Sequence, residues 1–382
     1  MDPIAAPPLT GLRIVELAGI GPGPFAGMML ADHGAEVIRV ERADGAHHYP
    51  SNILNRSRRS IVVDLKQPDG VAVVRALCRN ADGFIEGLRP GVTERLGLGP
   101  NVLRSDNPRL VYGRITGWGQ TGPLAQSAGH DINYIALSGA LHPMGRAEDK
   151  PPVPLNLLAD FGGGGMLLAF GMLSAILAAK HTGQGQVIDA AMTEGAALLA
   201  SMFFNPGVLA GIGTPRGSNM LGGAAPYYDT YTTADGEFIA LGAIEPQFHA
   251  QLLEVTGLTG DPDFARQLDP SSWPAATARL AAIIATRTRA EWCERFAGHD
   301  ACFAPVLSLA EAPDHPHHRA RGAFIAVHGL IQPAPAPRYS ASSTREPTLT
   351  EIGADTDALL AEVGYDHAEI ARLRTAGAVS GP

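Results

Sequence analysis

The first 120 residues alternate short apolar segments with segments of helical periodicity, and this alternation limits the fold more than any other feature. Five segments have the length and composition of buried strands: Leu12–Leu17, Glu36–Glu41, Ser60–Leu65, Gly83–Glu86 and Leu110–Thr116. Helical periodicity lies between them, as in Gln67–Asn80, where Pro68 falls near the first turn. Because strands that alternate with helices form parallel sheets covered by those helices, we predict an α/β fold.

The character of the sequence changes near residue 206. Apolar helices are predicted before it, at Gly163–Ala179 and Thr193–Phe204, whereas Gly and Pro are frequent directly after it. Ala234-Asp235-Gly236 then separates two strand-like segments, as in a hairpin. Because 382 residues exceed one ordinary domain, we predict four regions: a large domain (1–205), a linker (206–225), a small α+β domain (226–320) and a C-terminal segment (321–382).

The net charge of −9 is unevenly distributed along the chain. The first 100 residues carry 11 Lys and Arg and 11 Asp and Glu, so the whole excess of acidic residues follows them. The basic residues of this first part are concentrated between positions 39 and 89. A local basic cluster suits a small polyanion better than nucleic acid, which favours a broad basic face. An ordinary solvated surface remains the alternative.

Signals for export or membrane insertion are not evident in this sequence. The N-terminal residues lack a basic stretch followed by an apolar one, and every apolar run of 18 residues is interrupted by polar residues. The three cysteines, Cys78, Cys293 and Cys302, have no C-x-x-C spacing. We therefore expect a cytoplasmic protein with reduced core thiols and no membrane partner.

Two short segments place a histidine and a carboxylate where loops are predicted to enter helices. They are Gly129–Tyr134, which contains His130, and Asp160–Gly165, in which glycines follow Asp160. Moving a proton from one face of a carbon to the other requires two bases on opposite sides. An imidazole and a carboxyl group are suitable because a buried site can shift both pKa values toward neutral pH. A helix N-cap is the simpler interpretation of the Asp.

Two other motifs favour a cofactor by pattern but not by chemistry. Gly21–Ala26 fits the G-x-G-x-x-A dinucleotide fingerprint, with Glu41 twenty residues further on. However, two of its residues are prolines, which supply no N–H to a pyrophosphate. Asp314–His318 looks like a metal cluster, but Pro316 breaks the helical spacing that ligands would need. We expect neither NAD nor a metal ion.

Several segments together resemble the family III CoA-transferase superfamily, and the similarity extends from about residue 9 to the end of the chain. The segments are Leu12–Ala18, Gly21–Gly23, Ala35–Glu41, Glu86–Gly91, Trp118–Pro123 and Gly183–Ala190. Gly129–Tyr134, Asp160–Gly164 and Gly242–Phe248 resemble the alpha-methylacyl-CoA racemase branch of that superfamily. In transferase members the position of His130 is usually aromatic, and the Asp at the position of Asp160 is the acyl nucleophile.

The resemblance implies an architecture and a substrate. We expect a Rossmann-like large domain with a parallel sheet, completed by the returning C-terminal segment, and a smaller α+β domain. Two chains would form an interlocked homodimer whose active site lies between the large domain of one subunit and the small domain of the other. The substrate would be an acyl-CoA thioester, so CoA is part of the substrate and no separate cofactor is needed.

The resemblance also implies a reaction, the interconversion of (R)- and (S)-2-methylacyl-CoA thioesters by 1,1-proton transfer through an enolate. His130 and Asp160 would be the two bases, and Glu245 would hydrogen-bond and orient His130. Asp131 would shape the start of its helix and offer its backbone N–H to the thioester oxygen. The glycines after Asp160 would let the acyl chain approach the backbone.

The expected CoA-binding residues come from the basic cluster. Arginines would bind the phosphates, and two neighbouring residues would lie near the adenine. The phosphate candidates are Arg39, Arg42, Arg58, Arg59 and Arg89, and the adenine candidates are Leu65 and Lys66.

Two other functions compete with racemisation. One is CoA transfer, with Asp160 as the acyl nucleophile, and the other is binding of acyl-CoA without catalysis. The sequence also leaves the acyl chain open. A set of methionines could line a site for apolar acyl chains or simply fill the core: Met166, Met172, Met192, Met202 and Met220.

Overall fold

The computed structural model describes residues 6–42, 52–205 and 215–382. These residues belong to two compact units. The first unit combines Met1–Ser138, Pro154–Leu199 and Arg319–Pro382, and the second combines Gly139–Val153 and Ala200–His318.

A seven-stranded sheet forms the centre of the first unit. Its strands are β1 (Arg13–Leu17), β2 (Glu36–Glu41), β3 (Arg58–Val63), β4 (Gly83–Glu86), β5 (Val111–Thr116), β6 (Val187–Ala191) and, near the C-terminus, β12 (Val379–Ser380). The spatial order is β12-β3-β2-β1-β4-β5-β6, and every pairing is parallel except that of β12 with β3. The predicted α/β fold with a parallel sheet is therefore confirmed.

The predicted strands match the observed ones closely, with one shift. The strand predicted at Ser60–Leu65 is observed at Arg58–Val63. It ends early because Asp64 forms a turn, in which its side chain accepts the N–H of Lys66 and its carbonyl accepts the N–H of Gln67. Side-chain capping of this kind competes with strand pairing.

Helices cover both faces of this sheet. Those of the first unit are α1 (Pro22–Asp32), α2 (Pro68–Arg79), α3 (Val92–Arg95), α4 (Pro100–Asp106), α5 (Asp131–Leu137), α6 (Leu167–Thr182), α7 (Met192–Leu199), and, near the C-terminus, α12 (Thr356–Glu362) and α13 (His367–Thr375). A π-helical segment, Leu157–Met166, runs directly into α6. The helix predicted at Gly163–Ala179 therefore begins earlier, and Asp160 lies inside it.

The two faces of the sheet differ in chemistry. Alternate residues such as Val15, Ile38 and Ile61 face α2, α12 and α13 in an apolar core, where each buried aliphatic side chain contributes about 1.5–3 kcal/mol. The other face carries buried charge below α1. There Glu16 accepts hydrogen bonds from Arg39 (2.5 Å) and Arg58 (3.1 Å).

The continuous helix Leu157–Thr182 is long and apolar enough to cross a bilayer by length and composition alone, with a mean hydropathy of 1.8 in its most apolar window. It packs on the sheet, since a Cβ at Gly113 of β5 would lie 2.6 Å from Met172 Sδ and 3.0 Å from Leu168 Cδ1. We interpret it as a core helix.

The second unit contains a three-stranded antiparallel sheet and its own core. The sheet consists of β7 (Tyr228–Thr232), β8 (Phe238–Gly242) and β9 (Phe303–Pro305), in that order. The predicted hairpin is confirmed, and Gly236 in its turn has a φ of 79°. Helices α8 (Pro246–Thr256), α9 (Trp273–Ile284) and α10 (Arg289–Phe296) enclose a core around Trp292, and the short α11 (Pro316–Arg321) follows.

A hairpin that the sequence analysis missed lies in the C-terminal segment. Strands β10 (Phe324–Val327) and β11 (Leu330–Pro333) pair around His328 and Gly329, which both have positive φ. Two residues of positive φ are what a tight two-residue hairpin requires, and Gly329 was the available signal.

Candidate active site

Asp160 lies near the start of the π-helical segment and is half-buried. Asn156 Nδ2 donates to its Oδ2 at 3.4 Å. Burial raises the pKa of Asp160, and the charge of Asp131 adds to this increase, whereas the Asn156 amide and His130 lower the pKa. His130 is therefore close enough to act electrostatically on Asp160.

His130 occupies the N-cap of α5, so the prediction that a loop enters a helix there is confirmed. Its backbone N–H donates to Asn133 Oδ1 at 3.0 Å. The hydroxyl of Tyr134 donates to the carbonyl of Gly129, directly before His130. A Cβ at Gly129 would lie 2.7 Å from the Tyr134 ring and 3.0 Å from Trp118. The loop before His130 is thus fixed from both sides.

Asp131 connects the segments that carry the two predicted bases. Its Oδ2 accepts the backbone N–H groups of Ala159 and Asp160, each at 2.7 Å. Asp131 was expected to shape the start of its own helix, α5. Its carboxylate instead caps the start of the neighbouring π-helical segment, because that segment has unpaired N–H groups there.

Gly21 brings the loop after β1 against Asp160. Gly21 has a φ of 67°, and a Cβ on it would lie 3.3 Å from Asp160 Oδ2. Phe25 in the next turn stacks on Phe161 with ring centroids 4.6 Å apart. The glycine of the dinucleotide-like motif therefore lies beside a carboxylate.

Gly163 and Gly165, which follow Asp160, serve helix packing, and the expectation that the glycines of this segment admit the acyl chain stays a prediction. A Cβ at Gly163 would lie 2.6 Å from the Ala196 nitrogen of α7, and one at Gly165 would lie 2.7 Å from the Phe25 ring of α1. Both glycines are also buried. Close approach of backbone to backbone explains this composition.

The candidate residues gather at the carboxyl edge of the parallel sheet. Gly21 follows β1, and the loop to His130 follows β5. Strand β1 lies between β2 and β4, so the chain order reverses at this position. Open α/β sheets bind ligands at such a switch point.

The expected phosphate ligands separate into exposed and buried groups. Arg42 and Arg89 follow the carboxyl ends of β2 and β4, and Lys66 follows that of β3; all three are exposed. Leu65, beside Lys66, is half-buried against the apolar core. These positions are compatible with a polyanion at the same edge.

Arg39 and Arg58 are internal ion-pair partners, and their geometry does not support phosphate binding. Arg39 is 1% exposed and donates to Glu16 and to Glu41 (2.8 Å). Arg58 donates to Glu16 and to the carbonyls of Arg56 (2.8 Å) and Pro24 (2.6 Å). A phosphate would have to displace these partners.

Arg59 points to the opposite face of the sheet from Arg58, as neighbouring strand residues do. It donates to Glu36 and Glu362, each at 2.7 Å. Periodicity did not reveal that Arg58 and Arg59 were paired, because their acidic partners are remote in sequence.

Glu245 belongs to the second unit, where it is the exposed N-cap of α8. The neighbouring strands line an open depression of about 560 Å³, with residues that include Tyr228, Leu241, Gly242 and Cys302. Cys302 is exposed, so the expectation that all three cysteines are core thiols is wrong for this one.

Among the described residues no three His, Cys, Asp or Glu side chains are grouped as metal ligands. Of the methionines, Met172 and Met192 are buried, whereas Met166 and Met202 are about half-exposed at 51% and 46%. Asn156, which contacts Asp160, was missed; its spacing of four residues from Asp160 was the available signal.

The chain is similar to known proteins over almost its whole length. The CoA-transferase family III profile matches residues 9–354. A human protein named alpha-methylacyl-CoA racemase is 46% identical over 373 residues, which cover 96% of each chain. Human succinyl-CoA:glutarate CoA-transferase is 30% identical, covering 97% of this chain and 90% of its own. The crystal structure of a CAIB/BAIF family protein from Brucella suis superposes with a TM-score of 0.81 at 27% identity, covering 94% of this chain and 100% of that one.

Proposed function

The chain belongs to CoA-transferase family III, and from this premise we propose that it is an isomerase that interconverts (R)- and (S)-2-methylacyl-CoA thioesters. The observation that carries the proposal is the contact between the segments of His130 and Asp160: Asp131, directly after His130, accepts the backbone N–H groups of Ala159 and Asp160, each at 2.7 Å. The near full-length similarity to a human alpha-methylacyl-CoA racemase supports the same reaction.

The reaction is a 1,1-proton transfer. One base removes the α-hydrogen of the thioester, the electron pair delocalises onto the thioester oxygen, and the second base protonates the planar enolate from the other face. His130 acts as base when Asp160 holds a proton, and the roles reverse for the other enantiomer. The raised pKa of Asp160 supports this exchange, because it brings the carboxyl group closer to neutral pH. Positioned bases typically contribute about 10²–10⁴-fold.

The developing enolate charge requires a hydrogen-bond donor. Asp131 is the first residue of α5. Two residues later, the backbone N–H of Asn133 donates to the carbonyl of His130 at 2.8 Å. We assign the Asp131 N–H to the thioester oxygen. One such donor contributes on the order of 3 kcal/mol to transition-state stabilisation.

CoA is held as part of the substrate at the carboxyl edge of the sheet. Arg42, Lys66 and Arg89 are exposed cations at this edge, and Leu65 lies next to Lys66 for contact with the adenine. Arg39, Arg58 and Arg59 are assigned to internal ion pairs instead. The proposal requires no metal ion or redox cofactor.

An interlocked homodimer completes the site in this proposal, and Glu245 of the partner subunit orients His130. Exposed apolar side chains on the first unit support an interface, because such patches mark contact surfaces: Met166, Phe170, Leu177, Leu198 and Leu199, which are 51–69% exposed. The large domain comprises 1–205 and 321–382, and the small domain comprises 226–320 after a linker over 206–225. The proposed location is the cytoplasm.

Incubating one enantiomer of a 2-methylacyl-CoA in D₂O tests the function against CoA transfer. A racemase exchanges the α-hydrogen and produces the other enantiomer without an acceptor acid. A transferase, in which Asp160 attacks the acyl group, exchanges CoA only when an acceptor is added. Absence of α-exchange with any branched acyl-CoA would contradict the proposal, and exchange that needs an acceptor would favour the transferase.

A further inference from the structure

The Asp131 carboxylate spans the two segments that carry the predicted bases. Asp131 is covalently next to His130, and its Oδ2 accepts both the Ala159 and the Asp160 N–H groups at 2.7 Å. One side chain therefore links the α5 start to the backbone of the second base, 29 residues away in sequence.

Accepting these two hydrogen bonds with a carboxylate requires the burial of a charged group. Asp131 is 4% exposed, and among the described residues its other oxygen, Oδ1, is buried without a hydrogen-bond partner. Desolvating a charged oxygen without a partner costs free energy. An amide oxygen could accept the same two N–H groups without that charge. Stability alone therefore does not explain an Asp here.

The contacts of Asp160 restrict the position of its carboxyl group when Asp131 accepts its backbone N–H. Asn156 contacts Oδ2, and Gly21 approaches the same oxygen. The Asp131 bond fixes the backbone from which the carboxyl group projects. Proton transfer is sensitive to displacements of about 1 Å, so a small shift of this backbone is sufficient to lower the rate.

We propose that the Asp131 side chain is a positioning residue that sets Asp160 relative to His130, so that the two proton-transfer groups share one support. This inference rests on the proposed racemase function. It is separate from the assignment of the Asp131 backbone N–H, because a substitution of the side chain leaves that N–H in place.

The proposal predicts that loss of the Asp131 side chain affects the two enantiomers unequally. The backbone of Asp160 is held by this side chain, whereas His130 is held by α5. Exchange of α-hydrogen for deuterium with retention is measured separately for each enantiomer on the full-length protein. Asp160→Asn and His130→Ala first establish which enantiomer each base deprotonates. In Asp131→Ala, exchange of the enantiomer deprotonated by Asp160 should fall at least 100-fold, and exchange of the other should fall less than 10-fold.

Asp131→Asn separates the geometric role from the electrostatic one. Its amide oxygen still accepts both N–H groups, so both exchange rates should stay within about 10-fold of wild type. Loss of the negative charge should also move the acidic limb of the pH–rate profile to lower pH, because Asp131 raises the pKa of Asp160. This variant keeps the proposal testable if Asp131→Ala does not fold.

Asp82→Ala is the matched control, because Asp82 Oδ2 also accepts a backbone N–H, that of Arg13 at 2.9 Å, at the opposite edge of the sheet. It should lower stability without enantiomer asymmetry. Equal losses for both enantiomers in Asp131→Ala, or a 100-fold loss in Asp131→Asn without a shift of the pH profile, would overturn the proposal. A wild-type protein that exchanges neither enantiomer contradicts the proposed function itself.

Discussion

Gly21 and Asp160 approach each other so closely that a Cβ on Gly21 would lie 3.3 Å from Asp160 Oδ2. Gly21 also has a φ of 67°. The Gly21→Ala variant should therefore displace the carboxyl group and add backbone strain of roughly 1–2 kcal/mol. We expect kcat for racemisation to fall at least tenfold, measured by circular dichroism of the product mixture.

Gly11→Ala is the control for this variant, because Gly11 has a φ of 89° and no atom within 4 Å of its Cβ position. It should share the loss of stability and keep full activity. Equal activity in both variants would mean that the contact with Asp160 is unimportant.

Gly195 of α7 packs so closely on the π-helical segment that a Cβ at this position would overlap the carbonyl of Gly163. Gly195→Ala should lower the free energy of unfolding by about 1–3 kcal/mol and reduce activity, because the displaced segment carries Asp160. Urea denaturation and the exchange assay measure the two effects. Gly171→Ala in α6 is the comparison, because a Cβ at Gly171 would lie 3.4 Å from Ile188. This substitution should leave the free energy of unfolding unchanged or raise it.

Asp160→Asn should abolish racemisation and stabilise the protein at pH 7. Burial raises the pKa of Asp160, so the folded state binds its proton more tightly than the unfolded state. Stability is therefore lost as the pH rises from the ordinary Asp pKa through the raised folded value. The advantage of Asn should be full above that window and should disappear as the pH falls below it.

Urea denaturation across pH measures this difference. Asp106→Asn should instead destabilise the protein at pH 7. The hydrogen bond from Arg75 lowers the pKa of Asp106, and the substitution removes the charge that this bond stabilises. Stabilisation by Asp160→Asn that persists unchanged at low pH would refute the electrostatic explanation.

The buried charges below α1 predict a large loss of stability in Glu16→Gln. Arg39 and Arg58 would both lose the anionic partner that they share inside the protein. Breaking such a buried pair costs about 3–5 kcal/mol. The exposed pair of Arg372 and Asp69 provides a comparison, since Asp69→Asn should cost less than about 1 kcal/mol. Thermal unfolding of both variants checks the contrast.

Arg89→Ala should weaken binding of acyl-CoA with little change in kcat. Arg89 is exposed at the carboxyl end of β4, and loss of one charge-assisted hydrogen bond of about 1.5–3 kcal/mol corresponds to roughly 10–100-fold in KM. Arg75→Ala removes a half-buried arginine of α2, which pairs with Asp106, and should leave KM unchanged. An unchanged KM in Arg89→Ala would remove this residue from the CoA site.

Local pattern was sufficient for most strands of the sheet, although β3 begins two residues earlier than predicted and β12 was not predicted. It also singled out the two segments of the candidate site. Glu36–Glu41 and Gly83–Glu86 were predicted at their observed bounds, because strand alternation is a property of neighbouring residues. The position of His130 at a helix start followed in the same way. The β10–β11 hairpin was missed because its turn has only one glycine as a signal.

The sequence by itself determined the parallel α/β architecture and the family, and it predicted His130 and Asp160 as the two bases. Only the tertiary structure decided that Arg58 is enclosed with Glu16 and that Asp131 caps the segment of Asp160, contacts that span 42 and 29 residues. Whether a charge binds a ligand or an internal partner depends on which groups the fold brings within hydrogen-bond distance. Those distances arise from packing between remote segments, which periodicity does not encode.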